Sequence, residues 1–255
     1  MSSYLWQNFL TDEPTRQYIY EQLFELQAKF DLQNCIEIWP WKGSLTLQLV
    51  HIYKHIRLIE KDDHMKGHIN KIIKANQTID ITLDMCDVLD WSDSTWFIKN
   101  QTLIYGSLPY YITSPIIDKF MLKTKYDYSM FIVQLEFGQR VESVAGKKSY
   151  FWRLLNNFFD IYISRIIWPN CFTPPPKVYS CLLCFERKNQ TELSDNEYIY
   201  MLQILDKISW FKRKTLGKIA KMTDVKFPTQ MESKRLEEVT WSEMKSIIYF
   251  NYEVR

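Results

Sequence analysis

The sequence predicts an α/β domain built on a mostly parallel sheet, followed by a small α-helical domain. Short apolar runs alternate with helix-like segments through the first part of the chain, which is typical of βαβ units. After Arg187 the strand-like runs stop and long, polar-rich helical stretches follow. We therefore expect a first domain at residues 1–187 and a second domain at residues 188–255.

Six short apolar runs are the predicted strands. They are Ile36–Ile38, Ile56–Ile59, Ile81–Leu83, Leu103–Tyr105, Met130–Leu135 and Val178–Phe185. A helix is predicted at Ser44–His55, because apolar residues recur there at helical spacing. Two further helices are predicted in the second domain, at Glu192–Ser209 and Glu232–Phe250.

The composition is typical of a soluble globular protein. Hydrophobic residues make up 46% of the 255 residues and charged residues 24%, which suffices for a sizeable core. No apolar run reaches the ~18 residues of a membrane span. The N-terminus also lacks the basic and apolar regions of a signal peptide. We expect a cytoplasmic protein that acts as a monomer and has no membrane partner.

The cysteines and histidines do not indicate a metal site. Cys181 and Cys184 form a CxxC pair, but no second pair accompanies it. A three-residue offset within a strand points the two side chains to opposite faces of the sheet. The four histidines show no ligand spacing either. We therefore expect no bound metal.

Four residues follow the carboxyl ends of the predicted parallel strands: Trp39, Glu60, Asp87 and Ser107. Ligands of such sheets bind at this edge. Glu60 lies about 20 residues after the first turn, where a carboxylate accepts hydrogen bonds from ribose hydroxyls. The alternative is a surface acid in a charged loop. Asp87 is placed to accept a hydrogen bond from an adenine amino group, or else it is a turn residue.

The segment Ser107–Tyr110 after the fourth strand indicates adenine chemistry. The lone pair of the adenine N6 amino group is delocalised into the ring, so this nitrogen is a poor nucleophile. A rigid proline turn can aim a side-chain oxygen and a backbone carbonyl at the N6 hydrogens, while an aromatic ring stacks on the extruded base. Ser107, Leu108, Pro109 and Tyr110 are therefore the predicted catalytic residues.

A basic cluster lies in the second predicted domain, although the net charge of the chain is only +2. Lys212, Arg213 and Lys214 lie beside Trp210 and Phe211. Cations next to aromatic rings favour a phosphate-binding surface, and a solvated helix face is the alternative.

Seven motifs, in the same order, resemble those of the KsgA-type ribosomal RNA adenine-N6 dimethyltransferases. The family segments QNFL, EIGPGxGxLT, IExD, NLPY, QxE…RV, FxPPPKVxS and RKTL correspond here to residues 7–10, 37–46, 59–62, 107–110, 134–141, 172–180 and 213–216. The resemblance covers nearly the whole chain. The related antibiotic-resistance methyltransferases of large-subunit rRNA share the core, but the PPPKV and RKTL segments favour the KsgA branch.

This resemblance implies a Rossmann-like class I methyltransferase with a seven-stranded sheet and S-adenosylmethionine as its cofactor. It implies dimethylation at N6 of two adjacent adenosines near the 3′ end of small-subunit (16S) rRNA, within the immature 30S subunit. The residues it assigns to the cofactor are Asn8, Leu10, the Trp39 position, Glu60, Asp87 and Ser107. It assigns rRNA docking to the helical domain, through Lys212, Arg213 and Lys214.

Three glycines of the family motifs are tryptophan in this chain: Trp6, Trp39 and Trp41. An indole in the cofactor turn is expected to fill the cofactor space or to break the turn. Either the chain is a non-catalytic rRNA-binding assembly factor, or its gene is read with UGA as glycine. The retention of most other motif residues favours the second explanation. The count of 6 glycines beside 9 tryptophans agrees with it.

Ser107 replaces the asparagine of the family's NLPY segment. A hydroxyl still accepts a hydrogen bond from N6, but over a shorter reach. An NAD-binding oxidoreductase is a third interpretation of the carboxylate after the second strand, and the Leu108–Tyr110 segment argues against it.

Overall fold

The computed structural model describes residues 8–92, 101–123, 126–142, 155–188, 193–211 and 213–252. The chain forms two compact units, of which the first is Met1–Glu142 with Ile161–Glu186. The second is Ser143–Asp160 with Arg187–Arg255, so that residues 155–160 group with the C-terminal part. The predicted boundary between residues 187 and 188 stays a prediction.

Nine strands form two sheets within the described residues. They are β1 (Phe9–Leu10), β2 (Asn34–Ile38), β3 (His55–Glu60), β4 (Asp80–Met85), β5 (Thr102–Ser107), β6 (Tyr128–Gln134), β7 (Phe159–Ile167), β8 (Phe172–Thr173) and β9 (Ser180–Arg187). The large sheet has the order β4-β3-β2-β5-β6-β9-β7, and β1 pairs with β8 separately. The five neighbouring strands β4, β3, β2, β5 and β6 run parallel, whereas β9 is antiparallel to β6. The predicted mostly parallel α/β class is confirmed.

The central strands are buried along most of their length. Every residue of β2 is buried, as are five of the six residues of β5. Parallel strands are covered on both faces, which is why they appear in the sequence as continuous apolar runs. Their side chains pack into one core with α1 and the strands on either side.

Within the part of the first unit that the structure describes, there are five α-helices. They are α1 (Glu13–Phe30), α2 (Thr46–Leu49), α3 (Lys66–Ala75), α4 (Thr113–Ile117) and α5 (Leu135–Glu142), and a π-helical stretch follows α4 at Asp118–Lys123. Helix α1 begins where the Asp12 carboxylate accepts from the Thr15 N–H at 2.9 Å, an N-cap contact. It ends at Asp31, which adopts a left-handed conformation.

Among the described residues of the second unit, residues 155–158 are α-helical and three further α-helices follow them. They are α6 (Asp195–Ile208), α7 (Leu216–Ala220) and α8 (Trp241–Tyr252). Ser194 and Glu197 form a reciprocal capping box at the start of α6. The ring of Phe158 meets Tyr198 and Trp241 edge-on, each at a centroid distance of 5.1 Å, and these rings form part of the core of this unit.

Several elements differ from those predicted, and the helix predicted at Glu232–Phe250 is wrong at its start, since the α-helix begins only at Trp241. The helix predicted at Ser44–His55 is wrong in length, since only Thr46–Leu49 is α-helical. The chain has to turn at once into β3, and the N–H groups of Lys54 and His55 both bond to the Gln33 carbonyl. Strand β7 was not predicted from the sequence; most of its side chains are only half-buried, which leaves a weak apolar pattern.

The described residues can be searched for a membrane-spanning helix and for a cluster of metal-binding side chains. Within the described residues, no helix is both long and apolar enough to cross a membrane. Cys181 and Cys184 are buried on β9 with free thiols. The described part of the chain contains no cluster of histidine, cysteine and acidic side chains suited to a metal ion.

Two glycines provide a matched test of the packing at the sheet centre. A methyl group on Gly106 would lie 2.5 Å from the Ile38 carbonyl oxygen, whereas one on Gly67 in α3 would meet nothing within 4 Å. We expect Gly106→Ala to lower the free energy of unfolding by about 1–3 kcal/mol. We expect Gly67→Ala to raise it by up to about 1 kcal/mol. Urea denaturation checks both, and equal effects would contradict this packing.

Candidate active site

The carboxyl ends of β2 to β5 meet at one edge of the sheet, because these strands are parallel. The Trp39 N–H donates to the Ile59 carbonyl at 2.9 Å and the Cys86 N–H donates to the Glu60 carbonyl at 2.9 Å. These bonds tie the segments after β2 and β4 to the end of β3. The structure thus brings to this edge the four residues predicted there: Trp39, Glu60, Asp87 and Ser107.

The turn after β2 has the backbone conformation of a glycine-rich loop. Trp39 and Trp41 each have φ +55°, and Gly43 has φ +80°. A left-handed conformation costs an L-residue with a side chain roughly 1–2 kcal/mol, and glycine avoids that cost. The turn is closed by the Gly43 N–H, which donates to the Pro40 carbonyl at 2.7 Å.

Glu60, the last residue of β3, places a buried carboxylate at this edge of the sheet. Its carboxylate accepts backbone N–H groups from Trp41 at 3.2 Å, Lys61 at 2.8 Å and Asp62 at 2.9 Å. The residue is only 1% exposed. Burial raises the pKa of the Glu60 carboxyl above its usual value, although the three N–H donors act in the opposite direction.

The two indole rings of the turn differ in burial: Trp39 is buried and Trp41 is partly exposed. Trp39 is 7% exposed. The ring centroids of Trp41 and Phe9 lie 6.2 Å apart in an edge-on arrangement. The Lys42 ammonium nitrogen lies 4.8 Å from the centroid of the same Phe9 ring. With the turn in this form, the Glu60 carboxylate is closed to solvent.

Asp87 is held by an ion pair and a turn. Its carboxylate accepts from the Lys61 ammonium at 2.6 Å and from the Leu89 N–H at 2.9 Å. The Lys61 bond, together with the Leu89 N–H, holds the pKa of the Asp87 carboxyl below its usual value. The turn-residue alternative is therefore present in the structure, and a ligand at Asp87 would have to share the carboxylate with Lys61.

The segment Ser107–Tyr110 forms a braced corner after β5. The Leu108 N–H donates to the Ile132 carbonyl of β6 at 3.0 Å. The Pro109 carbonyl accepts from the Ile112 N–H at 3.1 Å and from the Thr113 hydroxyl at 3.2 Å. Contacts with neighbouring residues therefore hold the backbone of this segment in place.

Two tyrosines follow the proline and face different surroundings. The Tyr110 hydroxyl lies 3.1 Å from the hydroxyl of buried Ser180 at the start of β9. Burial raises the pKa of the Tyr110 hydroxyl. Tyr111 is 84% exposed. The corner thus carries one anchored ring and one ring open to solvent.

The family profile described as "Ribosomal RNA adenine dimethylase" matches residues 2–251. The chain belongs to this family. Its members are S-adenosylmethionine-dependent methyltransferases, so the family resemblance, the enzyme class and the cofactor expected from the sequence are all confirmed.

Curated relatives carry a consistent name. The "Ribosomal RNA small subunit methyltransferase A" of Clostridium acetobutylicum is 30% identical, over 84% of this chain and 77% of the relative. The protein of the same name from Hydrogenobaculum sp. is 29% identical, over 94% of this chain and 89% of the relative.

Two solved structures have the same fold as this chain. The 23S rRNA methyltransferase ErmE superposes with a TM-score of 0.65 at 18% identity, covering 96% of this chain and 100% of ErmE. A dimethyladenosine transferase from Plasmodium falciparum gives a TM-score of 0.67 at 19% identity, with coverages of 96% and 98%. At these identities the likeness shows the fold alone.

The backbone of the turn suits the family's cofactor, but its two tryptophan side chains do not. The left-handed positions match a loop that lets a ligand approach closely. In contrast, the Glu60 carboxylate is closed to solvent in the turn that carries the two indoles, which leaves a ribose no access to its expected acceptor. The misfit lies in the side chains at positions 39 and 41.

The N-terminal residues assigned to the cofactor lie on or beside β1. Leu10 is buried in the core and pairs with Phe172 of β8, whereas Asn8 is half-exposed just before the strand. Trp6 and Gln7 lie outside the described residues. The structure therefore gives Leu10 a packing role in addition to the one expected from the family.

The basic residues predicted to bind RNA lie in the second unit. Arg213 and Lys214 are exposed just before α7, and Lys212 lies outside the described residues. Trp210, two residues before Lys212, is largely exposed. Exposed cations beside an exposed aromatic ring suit a nucleic-acid surface.

Glu37 is a functional candidate that the sequence analysis passed over. Its carboxylate is buried on β2 and accepts from the hydroxyl of buried Thr46 at 2.7 Å. Burial raises the pKa of Glu37 to about 8, the Thr46 hydroxyl opposes this, and the charge of Glu60 adds to it. An acid between the two isoleucines of the predicted strand Ile36–Ile38 was the available signal.

We expect Glu37 to make the protein less stable as pH rises. Its pKa is about 8 when folded and 4.5 when unperturbed, so its stabilising effect is complete below pH 4.5 and lost on approach to pH 8. The loss is at most about 4–5 kcal/mol. Glu37→Gln stays neutral and keeps an acceptor for Thr46, so its free energy of unfolding should fall less between pH 5 and pH 8.

Urea denaturation at several pH values measures this difference. Glu25→Gln, at an exposed site on α1, is the matched control and should follow the unsubstituted protein. Parallel pH profiles for Glu37→Gln and the unsubstituted protein would show that Glu37 is not neutral in the folded state.

Proposed function

We propose that this protein transfers methyl groups from S-adenosylmethionine to N6 of two adjacent adenosines near the 3′ end of small-subunit rRNA, dimethylating each. It acts as a cytoplasmic monomer on the immature small subunit during ribosome biogenesis. The names of the curated relatives support the small subunit as the source of the rRNA. The braced corner at Ser107–Tyr110 is the observation in this chain that carries the proposal.

The corner supplies two acceptors for the amino group of the target adenine. We assign one N6 hydrogen to the Ser107 hydroxyl oxygen. The Pro109 carbonyl already accepts two donors, so we assign the other hydrogen to the Leu108 carbonyl. Two such bonds favour a more tetrahedral nitrogen, whose lone pair is then available for attack on a methyl group.

Tyr110 fixes the plane of the extruded base. Its hydroxyl is held by Ser180, so its ring presents a defined surface next to Pro109. Stacking on an aromatic ring contributes about 1–3 kcal/mol per base, which helps to offset the cost of extrusion.

The cofactor contacts follow the family assignment on the residues of this chain. Glu60 accepts from the ribose hydroxyls and Asp87 from the adenine amino group. Asn8, Leu10 and Ser107 complete the set, together with the backbone at the Trp39 position. The assignment of Glu60 applies to a turn without indoles at positions 39 and 41, because the carboxylate is otherwise closed.

A second function is favoured by the closed turn itself. If Trp39 and Trp41 are genuine, the chain is an rRNA-binding assembly factor that does not bind S-adenosylmethionine. The burial of Trp39 and Glu60 supports this alternative. Methyl transfer by a glycine-substituted protein, together with the identity of residues 39 and 41 in the organism, separates the two.

The first test is methyl transfer by the Trp6→Gly/Trp39→Gly/Trp41→Gly protein to immature small subunits, with a radioactive methyl donor. We expect labelled N6-dimethyladenosine in the small-subunit rRNA. In this background Ser107→Ala should slow methylation about 10–100-fold, because one N6 hydrogen bond is lost. Ser107→Asn should keep or raise the rate, since it restores a side-chain acceptor with a longer reach.

Ser242→Ala, at an exposed serine of α8, is the control and should leave the rate unchanged. A glycine-substituted protein that binds the cofactor but labels no adenine would refute the proposed reaction. An undiminished rate for Ser107→Ala would remove that residue from the mechanism.

The second test concerns the basic residues. Lys212→Ala/Arg213→Ala/Lys214→Ala should weaken binding to small-subunit rRNA and reduce the salt dependence of log K by about 2–3, because up to three phosphate contacts are lost. The control Lys66→Ala/Lys71→Ala/Lys74→Ala removes the same charge from exposed positions on α3. Equal effects of the two triple variants would assign the change to net charge alone.

A further inference from the structure

The turn after β2 places two tryptophans in a backbone conformation that glycine favours. Trp39 and Trp41 both have φ +55°, and they alternate with Pro40 and Lys42 up to Gly43 at φ +80°. Among the residues that the structure describes, Asp31 is the other non-glycine residue with a positive φ, and it ends a helix. Helix ends commonly use this conformation, whereas a large aromatic residue in a turn rarely does.

Backbone contacts hold both positions in that conformation. The Trp39 N–H donates to the Ile59 carbonyl at 2.9 Å, and the Trp41 N–H donates to the Glu60 carboxylate at 3.2 Å. Neither bond uses the indole, so a residue without a side chain would keep both. The path of the turn therefore depends on the neighbouring strand and not on tryptophan.

The turn that carries the two indoles also leaves Glu60 closed to solvent. Glu60 is positioned at the end of β3 with three backbone donors on its carboxylate, yet it has almost no contact with solvent. Trp39 is buried in the same turn, and Trp41 packs against Phe9. Glycine at both positions would remove this bulk and leave the three hydrogen bonds intact.

Two other tryptophans, Trp91 and Trp168, do not show this mismatch between residue type and backbone conformation. The Trp91 ring N–H donates to the Asp84 carboxylate at 2.7 Å, and the ring stacks on Phe120. Trp168 has an ordinary extended backbone with φ −73°. The mismatch between residue type and conformation is thus specific to positions 39 and 41 among these four.

The composition agrees with a systematic exchange of glycine for tryptophan. The chain has 6 glycines and 9 tryptophans. Average glycine usage of about 7% would give roughly 18 glycines in a chain of this length.

We propose that residues 39 and 41 are glycine in the protein that its organism synthesises, from UGA codons read as glycine, and that this form opens Glu60 to a nucleoside ligand. The first half of the proposal rests on backbone geometry and composition. The second half rests on the proposed function, because that function identifies the nucleoside as S-adenosylmethionine.

The identity of the two residues is tested on the native protein. Trypsin releases the peptide of residues 30–42, which contains both positions. We expect its mass and fragments, measured from cells of the source organism, to show glycine at 39 and 41, and the gene to carry UGA there. UGG codons or a tryptophan-containing peptide would overturn the proposal, whatever ligand the protein binds.

The opening of the site is tested by calorimetric titration with S-adenosylhomocysteine. We expect micromolar binding to Trp39→Gly/Trp41→Gly and no binding heat with the tryptophan form. Trp210→Gly, the same substitution at an exposed position in the second unit, should behave like the tryptophan form. Circular dichroism and a single cooperative unfolding transition confirm that each variant is folded.

The outcomes separate this inference from the proposed reaction. Binding by the tryptophan form, or none by a folded glycine form, would refute the opening of Glu60. A glycine form that binds the ligand and fails to methylate rRNA would leave the present inference standing and refute the reaction instead.

Discussion

Backbone hydrogen bonds between the turn after β2 and the end of β3 constrain the whole candidate site. The Trp39 N–H bonds to the Ile59 carbonyl and the Trp41 N–H to the Glu60 carboxylate. The chain makes both bonds while passing twice through left-handed conformations. The position of Glu60, the direction of the turn into α2 and the space left for a ligand all depend on this path.

The carboxylates of two acids on neighbouring strands, Glu60 and Glu37, have different hydrogen-bond donors. Glu60 has three backbone N–H donors on its carboxylate, whereas Glu37 has the Thr46 hydroxyl in a buried setting. Burial, with a contribution from the charge of Glu60, keeps Glu37 neutral at neutral pH, since its pKa is about 8. A neutral Glu37 avoids repulsion with Glu60, and its hydrogen bond from Thr46 links β2 to α2.

Much of the fold and part of the site could be predicted from the sequence, for identifiable reasons. The buried parallel strands appear as apolar runs, and polar residues at their ends mark the edge where Glu60 and Ser107 lie. The short α2 could not be predicted, because the Gln33 carbonyl that captures the N–H groups of Lys54 and His55 is distant in sequence. The Lys61–Asp87 ion pair likewise joins the ends of different strands.

The fold class and the family could be inferred from residue order alone, because hydrophobic periodicity and ordered motifs are local properties of the chain. The sequence also identified the anomaly at positions 39 and 41 as a matter of residue type. The backbone conformation at these positions and the closure of Glu60 became visible only in the folded chain. Those properties arise from hydrogen bonds and packing between residues of β2, β3 and β1, whose contacts form when the sheet assembles.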